Sequence, residues 1–434
     1  MKNKYVKILL SFILISLLFG FVFLIFSGEE KEKNASNEAK DEKTEFSFET
    51  SPGFYENDLD IKINYPKNAK VYYSINKQKP EDCEKKECLE YAKTGIRVLS
   101  RDTMTVRTIT AQYKDENGWS DEIVGTFVVG KNVPERFSTM SVFITTDPDN
   151  LWGYESGILV EGKLRADWRA ANPREKVIPI SPAGYMQRGK ESEKKVNIEF
   201  FDVGGQRVIN QNVGIRVSGA YTRAYILKSL KVFARKEYDP VQYRFDYKFF
   251  GNQYSQSGGG KLIDSYKKIL LRSSGSDLGY GQIRDELHQT LAEKSGIFGA
   301  QSVIPVSVFL NGTYYGQMWA HDVICDEFFE DHLGDFEGKF EVVSGPERSK
   351  PDERYEIDNI EEVRYAYDDW NNMYNTYTVA DLNDEEVYKE FCSKVDVENY
   401  LFYYAMNIYV NNNDWPYNNH KAYRYYAADG EEYR

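Results

Sequence analysis

The pattern of apolar and polar positions along the chain changes character three times. Residues 8–26 are an unbroken apolar run behind Lys2, Lys4 and Lys7, about the length that crosses a bilayer. Positive charge ahead of such a run keeps the N-terminus in the cytoplasm and exports the rest of the chain. No small-x-small cleavage signal stands out around Phe26-Ser27-Gly28, so the pattern favours an uncleaved signal anchor over 1–27 rather than a removed signal peptide. Residues 28–45 are charged and nearly free of large apolar side chains; they read as a disordered tether.

From residue 46 to 130 the apolar period becomes two. Short alternating runs at 60–63, 71–75, 104–109 and 123–129 are separated by turns, which predicts a small antiparallel β-sandwich of Ig-like type. A linker at 131–139, through Pro134, leads into a third region at 140–434 with mixed periods. There Leu230, Val232 and Ala234 alternate with Lys231, Phe233 and Arg235, predicting a strand with Lys228 near its start. Apolar strands on either side of Asn311-Gly312 predict a hairpin. Residues 282–296 predict a helix with Ile283, Leu287 and Leu291 on its inner face and Gly296 ending it. A second helix is predicted at 396–410. Val397, Tyr400, Leu401, Tyr404, Ala405 and Ile408 would form its buried stripe, and Asp396 would cap it. The fold class is therefore α+β.

Composition narrows the function. Hydrophobic residues make up 41% of 434 positions and aromatics 15%, enough for real cores, so the chain is not a disordered protein. A formal charge of −13 with no basic stripe argues against nucleic-acid binding. The 34 tyrosines fall mostly at helix or strand spacing, where packing is their ordinary use. Cys83 and Cys88 bracket a hydrophilic loop that a local disulfide would close outside the cell, whereas Cys325 and Cys392 read as buried thiols. Asn34-Ala35-Ser36 and Asn311-Gly312-Thr313 fit the N-glycosylation triplet.

The chemistry concentrates after the second helix, in Asn411-Asn412-Asn413-Asp414-Trp415-Pro416-Tyr417-Asn418-Asn419-His420-Lys421. Pro416 forbids further helix, placing Asp414 in a loop with the amides of Asn418 and Asn419 four and five residues on. A phosphoryl-transfer loop uses that arrangement: the Asp orients or deprotonates the attacking hydroxyl and an amide oxygen holds a magnesium ion. Clusters of Asn, Asp and Pro are also ordinary turn vocabulary, and on spacing alone the turn reading outweighs the catalytic one. Asp368 and Asp369 beside Trp370 offer a glycosidase-like pair, with only an aromatic neighbourhood in their favour.

Two resemblances change the weighting. Thr50-Ser51-Pro52-Gly53-Phe54-Tyr55, Val71-Tyr72-Tyr73-Ser74-Ile75-Asn76 and Lys79-Pro80 resemble the chitobiase/β-hexosaminidase C-terminal-type module, implying an Ig-like accessory domain at 46–130 capable of glycan contact. From residue 140 onward the chain resembles the CotH kinase family of spore-coat-type atypical protein kinases. The stretches that carry this are residues 140–152, 155–162, 188–191 leading into 196–202, Gly214-Ile215-Arg216-Val217-Ser218-Gly219-Ala220-Tyr221-Thr222-Arg223, Lys228-Ser229-Leu230-Lys231-Val232, Leu271-Arg272-Ser273-Ser274-Gly275-Ser276-Asp277, Ile283-Arg284-Asp285-Glu286-Leu287, Asn311-Gly312-Thr313-Tyr314-Tyr315-Gly316 and the Asp414 loop.

This resemblance implies a divergent protein-kinase-like domain that moves the γ-phosphate of ATP, with Mg2+ or Mn2+, to Ser or Thr hydroxyls of a surface or spore-coat protein. Asp414 would be the catalytic residue, Asn419 and Asn418 the metal side, and Lys228, Arg216, Arg223 and Asp285 the nucleotide contacts. Asp322 falls where the family often has Glu. The family's second acidic element, an Asp in a short Asp-x-Asp-like run, would fall past Arg434, and residues 425–434 read as a hairpin leading to it. The competing expectation is a non-catalytic envelope or coat assembly protein on the same scaffold. With the anchor, either protein is expected to be single-pass in the cell membrane with its folded part outside, or secreted if the leader is cleaved.

Overall fold

Alternating runs become strands because every second side chain can be buried on one sheet face. The computed structural model describes residues 45–82, 88–255, 260–296, 298–334, 338–344, 360–416, 419–427 and 432–433. Its first part is all-β. Thr105–Asp115 pairs antiparallel with Ile123–Val129 on one side and Lys70–Ile75 on the other. Gly53–Tyr55 adds to Ile123–Val129 in parallel, a departure from the expected antiparallel pairing. Two short ribbons, Ser47–Phe48 with Ile63–Asn64 and Leu59–Ile61 with Ile96–Val98, complete a core around Ile61, Ile109 and Phe127. Cys88 is disulfide-bonded, and its expected partner Cys83 lies outside the described residues.

The third region is built on a closed seven-stranded barrel. Around it run Met140–Thr145, Lys194–Phe201, Arg207–Ser218, Ser229–Phe233, Lys268–Arg272, Thr313–Asp322 and Val303–Leu310, the last returning to Met140–Thr145 as the barrel's parallel pair. Closure removes the exposed sheet edges that an open sheet would leave. Leu230, Val232, Ile269, Leu271, Met318 and Ala320 fill the interior. The predicted hairpin turns at Asn311 and Gly312, with φ of 45° and 75°, the left-handed pair that a two-residue hairpin turn requires.

The expected linker is part of the packing. Residues 131–139 carry the short helix Val133–Arg136, and Val133 and Phe137 join Val128 of the first sheet and Phe143, Phe201 and Phe309 of the barrel in one buried cluster. At the same junction the backbone and hydroxyl of Thr126 donate to the buried carboxylate of Glu199, which also pairs with Arg207 at 2.9 Å. The two β-layers are therefore fixed to one another through both an apolar cluster and a buried charge.

Beyond the barrel come the helices Asp326–Leu333, Ile360–Tyr377, Glu385–Lys394 and Val397–Tyr409, and a three-stranded sheet of Gly338–Ser344, Lys421–Ala427 and Glu432–Tyr433. The chain is thus mixed α and β, as expected. Asp396 caps its helix as predicted, accepting from the Asn399 amide. The stripe behind it is not buried, however: Tyr400, Leu401 and Ile408 are 44%, 59% and 69% exposed, while Tyr404 is partly covered by Trp415.

The membrane location expected from the sequence is corrected. Among the described residues no helix is long and apolar enough to cross a membrane. The 8–26 run on which that expectation rested, and the tether after it, lie outside the described residues.

Candidate active site

Strand periodicity sorts the charged residues of the barrel wall. In register across four neighbouring strands, Leu230 and Leu271 face the core with Ala320, so Arg216, Lys231, Leu270 and His321 form a row on the outer face. Arg216 is buried there, stacked on Phe233 at 4.4 Å and 3.7 Å from Glu193, which also binds Arg235 and Tyr238.

Lys228, just outside the strand, goes elsewhere. Its ammonium donates to the Tyr225 carbonyl at 2.6 Å and sits 4.7 Å over the Tyr185 ring, and burial pushes its pKa below the ordinary lysine value. Arg223 is fully buried nearby, donating to the carbonyls of Gly219 and Gln187. Lys228 and Arg223 therefore stand together around Tyr185, while Arg216 is on the far side of the strand pair. The carbonyl pairing is what makes burial of two cations tolerable, and it ties the 219–228 loop in place.

The Asp414 loop is held by its own aromatic and amide side chains. Trp415 packs against Tyr403 and Tyr404 of the preceding helix, and Asn412 bridges back to Asn407 at 2.8 Å. Asn419, at a φ of 59°, donates to the Asp414 carboxylate at 2.5 Å, so the structure brings together the two residues predicted five apart. Both are exposed. Asn418 lies outside the described residues.

Two residues later Lys421 turns toward the barrel and donates to the Ile324 carbonyl at 2.6 Å. Part of the residue is open to solvent, but its ammonium is desolvated and near Lys231 and Lys268, and these effects push its pKa down to about 8. The neighbouring acids divide in response. Burial, then the Glu327 charge, raises Asp326 to about 6. Glu327 is held down to about 2 against its burial by Lys268 and Lys267, 3.2 and 3.4 Å away. A phosphate chain is the kind of ligand that relieves such crowding of lysines. Sequence reading passed over Lys231 and Lys268; the available signal was that Lys231, not Lys228, is the outward residue of its strand.

Asp285 also has a different partner from the one expected. It lies 2.7 Å from Arg272 and begins the Arg284–Ser295 helix, whose buried residue is Glu286. Ile283, Leu287 and Leu291, expected inward, are 52%, 50% and 37% exposed, because this helix docks through its acids and not through an apolar stripe. Asp322 is buried against His332 at 2.8 Å, and Asp369 is tied to Arg424, which gives both a structural use.

The outer wall of the barrel thus carries Lys231 and Lys268 with Lys421 close to both, and the Asp414–Asn419 loop directly precedes Lys421 in the chain. A family model, CotH kinase protein, matches residues 215–433, just over half of the chain, and the protein belongs to that family. The first two barrel strands, Met140–Thr145 and Lys194–Phe201, precede the matched residues yet close the same barrel. No curated protein matches the chain.

Proposed function

We propose that the protein is an ATP-dependent kinase acting on a Ser or Thr hydroxyl of a protein substrate, the coat-protein class that the resemblance implies. The family implies ATP and a divalent metal in general. The observation that carries the reading is the Asp414–Asn419 pair, which ends two residues ahead of a strand lysine, Lys421, that is crowded by Lys231 and Lys268.

The donor set suits a metal–nucleotide complex: carboxylate and amide oxygens at the loop, ammonium groups behind it. Magnesium bound with ATP would supply charge neutralisation for the phosphates. Asp414 orients and accepts the proton of the attacking hydroxyl, and Asn419 holds the Asp414 carboxylate while presenting its amide oxygen to the metal side, with Asn418 beside it. Lys231, Lys268 and Lys421 receive the phosphates, and Arg216 adds positive charge from the same row. Lys228, Arg223 and Asp285 position the loops and helix around that face.

A second reading, a non-catalytic assembly protein, is favoured by the exposed apolar face of Val397–Tyr409, which suits contact with another protein. Calorimetry with ATP and Mg2+ or Mn2+ and phosphoryl-transfer assays on wild type, Asp414→Ala and Asn419→Ala separate the two. Metal-dependent binding and transfer that both substitutions abolish supports the kinase; a folded wild type that binds no nucleotide supports the assembly protein.

A further inference from the structure

The Arg284–Ser295 helix lies on the barrel the wrong way round for apolar packing, turning its apolar residues to solvent and burying a glutamate. Glu286 is 3% exposed and meets His321, which is 0% exposed, with Nε2 and Oε1 3.4 Å apart. That is long for a hydrogen bond, and it equals the ligand–ligand separation in a tetrahedral shell whose metal–ligand bonds are about 2.1 Å. Asp285 adjoins them, and one ligand atom from each of the three residues lies within 4.8 Å of the others. Among the described residues Glu286 Oε2 and His321 Nδ1 have no hydrogen-bond partner, although both side chains are sealed from water. Arg272 reaches Asp285 Oδ2 at 2.7 Å but is 4.0 Å from Glu286 Oε1. One guanidinium thus serves the outer carboxylate closely and the inner one only at the limit of an ion pair, leaving Glu286 Oε2 without a partner among the described residues.

We propose that Asp285, Glu286 and His321 bind one divalent first-row transition-metal ion, sharing no residue with the Asp414–Asn419 loop and not depending on the nucleotide reading. A nitrogen donor with two carboxylates suits Zn2+, Mn2+ or Fe2+, whereas Mg2+ and Ca2+ prefer all-oxygen shells. Arg272 keeps the outer oxygen of Asp285 and orients it, as a partner outside the coordination shell does. The ion clamps the first turn of the helix to the Thr313–Asp322 strand, replacing the apolar contact that this helix lacks.

The test is calorimetry and metal analysis on the full-length protein after chelation, titrated separately with Zn2+, Mn2+, Co2+ and Mg2+ in the absence of nucleotide. The expected result is one equivalent of a transition metal, with Co2+ giving visible bands of a nitrogen-containing site, and weak or no Mg2+ binding. Glu286→Gln and Asp285→Asn lower the affinity roughly tenfold or more, while Asn419→Ala leaves it unchanged. Absence of stoichiometric binding by folded wild type overturns the proposal, as does undiminished binding by the folded variants. Should Glu286→Gln fail to fold, Asp285→Asn, whose side chain is partly exposed, decides alone.

Discussion

Lys228 and Lys231 send their ammonium groups to opposite sides of the same barrel wall: Lys228 to the Tyr225 carbonyl over the Tyr185 ring, Lys231 to the outer face beside Lys421. An odd spacing along an extended chain produces this separation. Lys231→Ala is therefore expected to weaken ATP binding by about tenfold or more. Lys228→Met should leave the nucleotide affinity within about threefold, its effect falling on stability through the unsatisfied Tyr225 carbonyl. Calorimetry on the two variants distinguishes them, and equal losses would contradict this assignment.

The pKa of Lys421, pushed down to about 8, predicts a pH dependence of nucleotide binding. Below pH 8 the ammonium is charged and attracts phosphate; as pH rises through 8 it becomes neutral and the attraction is lost. Affinity for ATP should fall by about tenfold between pH 7 and 9. Lys421→Arg, which stays charged, should flatten the profile.

Glu327 gives the opposite sign with acid. Its folded pKa of about 2 lies below the ordinary glutamate value of 4.5, because Lys268 and Lys267 favour the charged form. The stabilisation is present above about pH 4.5 and is lost as pH falls toward 2. Glu327→Gln is expected to cost about 1–3 kcal/mol at pH 7 and to blunt the acid sensitivity of the melting temperature.

At the junction of the two β-layers, Glu199 is 1% exposed and depends on Arg207 and Thr126. Arg207→Ala leaves a buried carboxylate without its ion-pair partner, held among the described residues by Thr126 alone, and should cost about 3 kcal/mol in denaturant unfolding. Since the Phe54, Phe137, Phe201 and Phe309 cluster spans the same junction, both β-layers should unfold in one transition. Separate transitions for them would refute rigid docking.

Much of the local structure was legible before the fold. The hairpin at Asn311-Gly312, the Asp396 cap, the Gly296 stop and the alternation of Leu230, Val232 and Ala234 all depend on neighbours a few residues away, and each is found where the pattern puts it. That Asp414 and Asn419 share one loop was legible for the same reason, through Pro416; their hydrogen bond was not. What misled was facing. Apolar spacing put Leu287 and Leu291 inward and Tyr400 and Leu401 into a core, and all four are exposed.

By itself the sequence determined the family and several local features, among them the Asn311-Gly312 hairpin, the Asp396 cap and the Gly296 stop, because backbone preference, side-chain period and motif order are properties of contiguous residues. Only the tertiary structure decided that the barrel closes through Met140–Thr145, that Lys421 comes close to Lys231, and that Glu286 meets His321. Those relationships join residues 35 to 190 positions apart. Which strand lies beside which, and which buried charge answers another, depends on how whole elements pack, and no local pattern carries that information.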